Sequence, residues 1–226
     1  MSQNGIPMHM PTHPQPKPLP GFSHINRYWD KRQGVYAAKI LPGQFYVSTT
    51  GEMVVTVLGS CISACIRDPI NRVGGMNHFM LPIQRSNMTS AALGNLKPGS
   101  LSDAARYGNW AMEYLINEIL KNGGNRRNLE VKIFGGGKVL SNMNQIDIGK
   151  QNIDFVKLYL QEEGLRIAAE DVAGPYPRKV LYFTDTGSVK VRKLRTVSNE
   201  TVYEREVSYS RNITKEPQAG SIELFD

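Results

Sequence analysis

The spacing of apolar residues along the chain alternates between two periods, and this alternation predicts the order of secondary structure. Short apolar runs rich in β-branched residues predict strands, whereas apolar residues three and four positions apart predict helices. The predicted strands cover residues 44–48, 53–58, 62–66, 72–81, 129–134, 165–172, 180–184 and 188–194. One helix is predicted between a cap at Ser102 and a stop at Gly123, and a second over residues 149–163. This order predicts an α+β domain in which helices cover mixed sheets.

The first predicted helix follows a loop over residues 84–100 that is rich in Ser, Asn, Gly and Thr. Its apolar residues recur at helical offsets, which is typical of a helix that packs one face on a sheet. The residues expected on this buried face are Tyr107, Trp110, Ala111, Tyr114, Leu115 and Ile119.

The two ends of the chain lack these patterns. Residues 1–33 contain six prolines and few apolar residues, so we expect a disordered, proline-rich N-terminal arm. Residues 34–195 are predicted to form the folded domain. Residues 196–226 are predicted to be a polar, mostly flexible C-terminal tail with one possible strand at 201–207.

Composition narrows the class of protein. The 226 residues carry a net charge of +7, which permits nucleic acid, a membrane surface or an acidic protein as partner. The basic residues are scattered and form no stripe with aromatic residues, so nucleic-acid binding is not expected. No signal peptide or long apolar run is present, which predicts a cytoplasmic protein without membrane insertion.

The two cysteines, Cys61 and Cys65, lie in one apolar stretch. On a strand they would be about 13 Å apart, too far for a disulfide, so both are predicted to be reduced thiols. No third cysteine completes a zinc site, and no metal or cofactor is predicted.

Cys61 stands where the chain is expected to bend, directly after Gly59 and Ser60 and between two apolar strands. Glycine lets the backbone come close to a ligand, and free N–H groups at a bend can hold a developing oxyanion. A buried cysteine of purely structural role is the alternative.

His78 is the only histidine of the predicted folded part, and it lies in an otherwise apolar strand. A thiol nucleophile needs a neighbouring base, and the two side chains can meet if the strand that begins at Cys61 pairs with the strand that ends at His78. Thr56 is the candidate for orienting the imidazole ring, with Ser60 and Ser63 as competing hydroxyls.

These blocks together resemble the CheD family of bacterial chemoreceptor glutamine deamidases. The blocks are residues 56–61 (TVLGSC), 67–69 (RDP) and 74–82 (GGMNHFMLP), followed downstream by 134–137, 148–149, 152 and 169–174. The resemblance spans about residues 44–195 and implies Cys61 as the catalytic cysteine and His78 as the catalytic histidine. The family's third residue matches Thr56 by type, although some members carry it one position earlier, where this chain has Val55.

The resemblance also implies a fold and a reaction. The implied fold is a layered αββα sandwich of mixed sheets flanked by helices, similar to bacterial deamidating toxins. The implied reaction converts glutamine side chains in the cytoplasmic helical region of a chemoreceptor to glutamate, without a cofactor. The alternative is a non-catalytic module that binds a CheC-type chemotaxis phosphatase.

Gly135, Gly136 and Gly137 allow two interpretations. A phosphate-binding loop would need a longer glycine-rich turn followed by a Lys-Ser or Lys-Thr pair, which this chain lacks after Lys138. We therefore expect these glycines to permit close backbone approach, inside the fold or to a bound protein loop.

Overall fold

Residues 13–82, 103–139, 147–194 and 199–213 are described by the structure, which is a computed structural model. The predicted loop at 84–100 and the predicted cap at Ser102 lie outside the described residues, as do both extreme ends of the chain. No helix in the described ranges is long and apolar enough to cross a membrane.

The described residues form ten strands and three helices. The strands are β1 (Asn26–Asp30), β2 (Val35–Lys39), β3 (Phe45–Ser48), β4 (Met53–Leu58), β5 (Ile62–Asp68), β6 (Val73–Asn77), β7 (Glu130–Gly135), β8 (Ile167–Val172), β9 (Arg178–Phe183) and β10 (Val189–Lys193). The helices are α1 (Asp103–Lys121), α2 (Ile148–Glu162) and α3 (Asn199–Ile213). Each strand and helix predicted up to residue 194 is present, with small shifts at the ends.

The strands form two five-stranded mixed sheets. The first sheet has the order β1-β2-β4-β9-β10, with β2 and β4 parallel and the other pairs antiparallel. The second has the order β3-β6-β5-β7-β8, with only β7 and β8 parallel. The predicted α+β sandwich of mixed sheets is confirmed.

One apolar core joins the two sheets. Val54 and Leu58 of β4 belong to the same buried cluster as Ile62 and Ile66 of β5. Helices α1 and α2 pack on the second sheet, so β5 has apolar neighbours on both faces. This explains why six of the seven residues of β5 are buried, on both faces of the strand, instead of alternating with exposed residues.

The buried face of α1 differs from the one predicted. Leu115 and Ile119 are buried as expected, but Trp110 and Tyr114 are 45% and 57% exposed. The residues that complete the buried stripe are Met112 and Ile116. The stripe therefore runs through positions 112, 115, 116 and 119, at the offsets of a single helix face. The two exposed rings lie beside it, where no described element covers them fully.

Two expectations for the ends of the chain require correction. Within the predicted arm, residues 26–30 form β1, and Phe22 and Ile25 are buried in the core beside it. These two apolar residues follow the last proline of the arm and provide the anchor for a strand. Within the predicted tail, the possible strand at 201–207 lies inside helix α3. The division into arm, domain and tail otherwise remains a prediction.

Candidate active site

The chain crosses from one sheet to the other between β4 and β5. Strand β4 belongs to the first sheet and β5 to the second, so Gly59, Ser60 and Cys61 form the crossing. A backbone that leaves one sheet and enters another turns its N–H groups away from both ladders, and these groups need other acceptors. The predicted bend at Cys61 is therefore present, and we call residues 59–61 the cysteine bend.

The glycine run after β7 packs directly against the cysteine bend. Gly136 donates its N–H to the carbonyl of Cys61 at 2.7 Å, and Gly137 donates to the carbonyl of Gly59 at 2.7 Å. Gly135 has a φ of 114°, and a Cβ at this position would lie 2.2 Å from the Cys61 carbonyl oxygen. The glycines thus serve close approach within the fold, the structural one of the two expected roles.

Strand pairing brings the histidine beside the bend. Ile62 and Phe79 form an antiparallel bridge, with hydrogen bonds of 2.8 and 3.0 Å, that continues the register of β5 and β6. Cys61 and His78 each precede a bridged residue, so they lie on the same face of the sheet as diagonal neighbours. A diagonal separation is within reach of a long ring such as imidazole. The strand pairing expected from the sequence is therefore confirmed.

A hydrogen bond between the two sheets orients the His78 ring. The Thr56 hydroxyl lies 2.7 Å from His78 Nδ1 and donates its only proton to the Ile40 carbonyl at 2.9 Å. The hydroxyl can therefore only accept from the ring, which places a proton on Nδ1 and leaves Nε2 with its lone pair. Nε2 is buried and has no hydrogen-bond partner within the described part of the chain. The ring is thus fixed as a neutral base with its basic nitrogen unengaged.

The competing hydroxyls are committed elsewhere. Ser63 donates to the Asn77 carbonyl, and Ser60 lies at the cysteine bend with its hydroxyl directed to Glu206 and the Met80 sulfur. The contact expected for an orienting residue is therefore made by Thr56.

Burial keeps both reactive groups uncharged. Burial lowers the pKa of His78 from 6.5 to about 3, which disfavours imidazolium. Burial also raises the pKa of the Cys61 thiol well above its usual value, and the charge and hydrogen bond of Glu206 raise it further. In this state the pair is a thiol and a neutral imidazole, not a thiolate and an imidazolium.

A carboxylate from the far end of the chain occupies the cysteine bend. Glu206 of α3 accepts the N–H groups of Gly59, Ser60 and Cys61 at 2.9, 2.8 and 3.1 Å. It also accepts the Ser60 hydroxyl at 2.6 Å, and it is 1% exposed. Three adjacent N–H groups directed at one carboxylate form an anion-binding nest of the type that stabilises oxyanions.

Asn152 of α2 fixes the bend relative to the histidine strand. Its amide nitrogen donates to the Ser60 carbonyl at 2.7 Å, and its amide oxygen accepts the N–H of Leu81 at 2.9 Å. The side chain is completely buried. One residue therefore joins the cysteine bend to the strand segment that carries His78.

The sequence of this chain is similar to sequences of known proteins. A family model described as "CheD chemotactic sensory transduction" matches residues 80–193. A protein of Halorhodospira halophila named "Probable chemoreceptor glutamine deamidase CheD" is 51% identical over 210 residues, covering 93% of this chain and 94% of that protein. Proteins of the same name from Saccharophagus degradans and Hahella chejuensis are 50% and 48% identical, covering 92% and 94% of this chain and 93% and 97% of their own lengths.

The chain belongs to the CheD family. The resemblance found in the sequence is confirmed, and the similarity to these relatives covers almost the whole chain. Within this CheD-family chain, sequence reasoning placed Cys61, His78 and Thr56 in the candidate site, and the structure brings all three to the same end of the sandwich. Their roles in a reaction remain predictions.

Two polar residues of this site were not assigned to it from the sequence. Asn152 appeared only as one matching position of the resemblance. Glu206 carried no signal, because a glutamate in a polar helix usually faces solvent.

The second thiol lies apart from this site. Cys65 is buried further along β5, and burial raises the pKa of its thiol well above the usual value. It pairs with Met76 and Lys132 in the sheet and lies outside the cysteine bend.

Proposed function

We propose that this chain is a cysteine-dependent amidohydrolase that converts glutamine side chains of chemoreceptors to glutamate. The observation that carries the proposal is the N–H nest at the cysteine bend, which binds a carboxylate directly beside the Cys61 thiol. A carboxamide carbon held in this nest would have its oxygen on the N–H groups and its carbon next to the sulfur. The names of the relatives supply the reaction and the receptor substrate.

The proposed reaction begins with proton transfer to the imidazole. Cys61 Sγ attacks the carboxamide carbon of a substrate glutamine while His78 Nε2 takes the thiol proton. The carbonyl oxygen becomes an oxyanion held by the N–H groups of Gly59, Ser60 and Cys61. His78 then gives its proton to the amide nitrogen of this tetrahedral adduct, the C–N bond breaks, and ammonia leaves with a thioester remaining on Cys61.

Hydrolysis completes the cycle with the same groups. His78 Nε2 takes a proton from water, the hydroxide adds to the thioester carbon, and the oxyanion returns to the nest. Collapse of this adduct breaks the C–S bond and releases the substrate glutamate, and His78 returns its proton to Sγ, which restores the thiol of Cys61. Thr56 keeps the proton on Nδ1 throughout, so Nε2 remains the atom that exchanges protons.

Burial of His78 affects the two proton transfers in opposite ways. The low pKa keeps Nε2 unprotonated and favours return of a proton to the departing ammonia, but it also makes the buried ring a weak base for the thiol. The neutral resting pair also means that thiolate is formed during attack instead of being stored.

We place the substrate in the cytoplasmic helical region of a chemoreceptor and the chain in the cytoplasm, as the resemblance implies. A CheC-type phosphatase is the implied regulatory partner. If the chain only binds such a partner, a stable complex will form without any release of ammonia. Turnover therefore separates the enzyme from the binding module.

Mass spectrometry of receptor fragments tests the proposal. Incubation with the chain is expected to produce the mass gain that replaces NH₂ by OH at specific glutamines, whereas Cys61→Ala gives none. The rate of glutamine conversion should fall by more than about 10⁴-fold in Cys61→Ala, as it does when other covalent nucleophiles are removed. Cys61→Ala keeps every backbone contact of the bend, so its melting temperature serves as the folding control. Normal conversion by folded Cys61→Ala would overturn the cysteine mechanism.

A further inference from the structure

Glu206 has the side chain that deamidation of a glutamine would leave, and it occupies the nest assigned to the substrate carboxamide. We propose that helix α3 is a built-in product mimic that holds the active site closed until it leaves. This inference rests on the proposed function, because the occupied nest is the one in which the substrate would react. The new element is that a side chain of the same protein, Glu206, occupies that nest.

The contacts of Glu206 are those of a bound ligand. Four hydrogen-bond donors converge on one carboxylate, three from the bend backbone and one from the Ser60 hydroxyl. Gly59 provides the space, since a Cβ at this position would lie 2.7 Å from Glu206 Oε2. A carboxylate bound by N–H groups at this distance range is strongly held. The nest therefore recognises the end of a Glu or Gln side chain from a helix.

Helix α3 lies in a groove that passes over His78. Near the first half of the helix, Val202 and Arg205 line a cavity together with Thr56 and His78. Near its last turns, Tyr209, Asn212 and Ile213, which continue the same helix face, line a second cavity that also includes His78. The same groove thus accommodates an α-helix whose central side chain enters the nest. A receptor helix that presents a glutamine would need this space, so α3 and the substrate helix exclude each other.

The attachment of α3 is suited to release. Its described buried apolar residues are Val207 and Ile213, whereas Glu206 and Ser210 are polar. Helix α2 contrasts with this, because it buries six large apolar residues, Ile148, Ile153, Phe155, Val156, Tyr159 and Leu160. Tyr209 adds a partly buried ring packed on the core. Because α3 buries fewer apolar residues than α2, hydrogen bonds carry more of its attachment, and a competing side chain in the nest would remove the four that Glu206 accepts.

With α3 in place, the site is unready for chemistry. Cys61 is completely buried, and the negative charge of Glu206 beside the thiol opposes thiolate formation. Departure of the helix would expose the bend, free the oxyanion donors and remove this charge. All three changes favour attack on a substrate.

The sharpest test makes the chain its own substrate. In the full chain carrying Glu206→Gln, Cys61 Sγ adds to the side-chain carboxamide carbon of residue 206, ammonia leaves with the proton returned by His78, and water hydrolyses the thioester. The product is glutamate at position 206. Peptide mass spectrometry is expected to find glutamate there in Glu206→Gln and glutamine in the double variant Cys61→Ala/Glu206→Gln. Glu204→Gln, a change at an exposed position of the same helix, should keep its glutamine.

A rate measurement tests the closed state independently. Glu206→Ala is expected to convert receptor fragments at least about tenfold faster than the unaltered chain, because a ligand held by several charge-assisted hydrogen bonds leaves only a small open fraction. Glu204→Ala should leave the rate unchanged. A rate in Glu206→Ala that is equal or lower, with glutamine retained in Glu206→Gln, would mean that Glu206 merely fastens the bend.

The two proposals fail differently. If receptor fragments are converted in a Cys61-dependent way while both Glu206 tests are negative, the product mimic is wrong and the deamidase stands. If no variant converts receptor fragments, and the glutamine introduced by Glu206→Gln also stays unconverted, the deamidase itself is wrong.

Discussion

Helices α2 and α3 both hold the cysteine bend through one polar side chain, but they do so in opposite ways. Asn152 of α2 binds the carbonyl side of the bend at Ser60, and Glu206 of α3 binds its N–H side. Helix α2 is anchored by a continuous apolar face, whereas the buried described residues of α3 are the apolar Val207 and Ile213 and the polar Glu206 and Ser210. The comparison indicates two roles: Asn152 holds the cysteine bend in its folded position, whereas Glu206 occupies the nest that the bend forms. Carbonyl groups of the bend bind residues that build the site, and in the proposed mechanism its N–H groups bind the ligand.

Removal of Asn152 should have the largest effect on stability. Asn152→Ala leaves a buried carbonyl at Ser60 and a buried N–H at Leu81 without partners, at a cost of about 2–6 kcal/mol in the free energy of unfolding. Urea denaturation measures this loss, with Gln161→Ala, a change at an exposed position of α2, as the control. Glu206→Ala should cost less than Asn152→Ala, because the freed N–H groups become accessible to water. An equal loss in the free energy of unfolding for the two variants would show that Glu206 is as much a part of the folded framework as Asn152.

Loss of the Thr56 hydroxyl should act on turnover more than on folding. Thr56→Val keeps the shape of the side chain but frees the His78 ring to change tautomer, and we expect turnover to fall by roughly 10- to 1,000-fold. Thr56→Ser should retain most of the activity. The assay is best made in a Glu206→Ala background, so that closure by α3 does not limit the rate. Full turnover in Thr56→Val would show that catalysis does not require the hydrogen bond between the Thr56 hydroxyl and the His78 ring.

Acid should lower the free energy of unfolding, because the buried His78 ring cannot easily take up a proton. The folded-state pKa of about 3 lies below the ordinary value of 6.5, so between these values the unfolded chain binds a proton that the folded chain does not. This contribution to stability is complete above pH 6.5 and is lost as the pH falls toward 3. The expected slope is about 1.4 kcal/mol per pH unit. Comparison with His78→Gln isolates it, since the carboxylates titrate alike in both proteins; parallel pH curves would contradict the burial of a neutral ring.

Cys65→Ala should have the smallest effect and supplies the thiol control. Cys65 is buried in β5 but lies outside the cysteine bend, so its removal should cost roughly 1 kcal/mol or slightly more of stability. Turnover of receptor fragments should persist, as should conversion of the glutamine introduced by Glu206→Gln. A folded Cys65→Ala protein without activity would reassign the nucleophile.

Local pattern was sufficient for most of the sheet structure. The β-branched runs before and after Cys61 predicted β4 and β5, and the turn at 185–187 predicted the hairpin of β9 and β10. Cys61 and His78 were also predicted as a candidate pair, because an isolated histidine in an apolar strand near a displayed cysteine is an unusual combination, and the resemblance to the CheD family implied their roles. The face of α1 was only partly predicted: helical spacing identifies residues on one side, but Trp110 and Tyr114 are exposed because no described element covers them fully.

The sequence by itself determined the order of the elements and the reactive residue types, since hydrophobic period, turn chemistry and side-chain chemistry are local properties. Only the tertiary structure decided that β4 and β5 belong to different sheets, which turns the N–H groups of the cysteine bend away from both hydrogen-bond ladders. The tertiary structure also decided which residue accepts hydrogen bonds from these N–H groups. Glu206 binds Cys61 from 145 positions away, and its burial is compensated by hydrogen bonds to backbone, which leave no mark in an apolar pattern. Such a contact is determined by the three-dimensional position of α3 next to the cysteine bend, which the local sequence pattern does not encode.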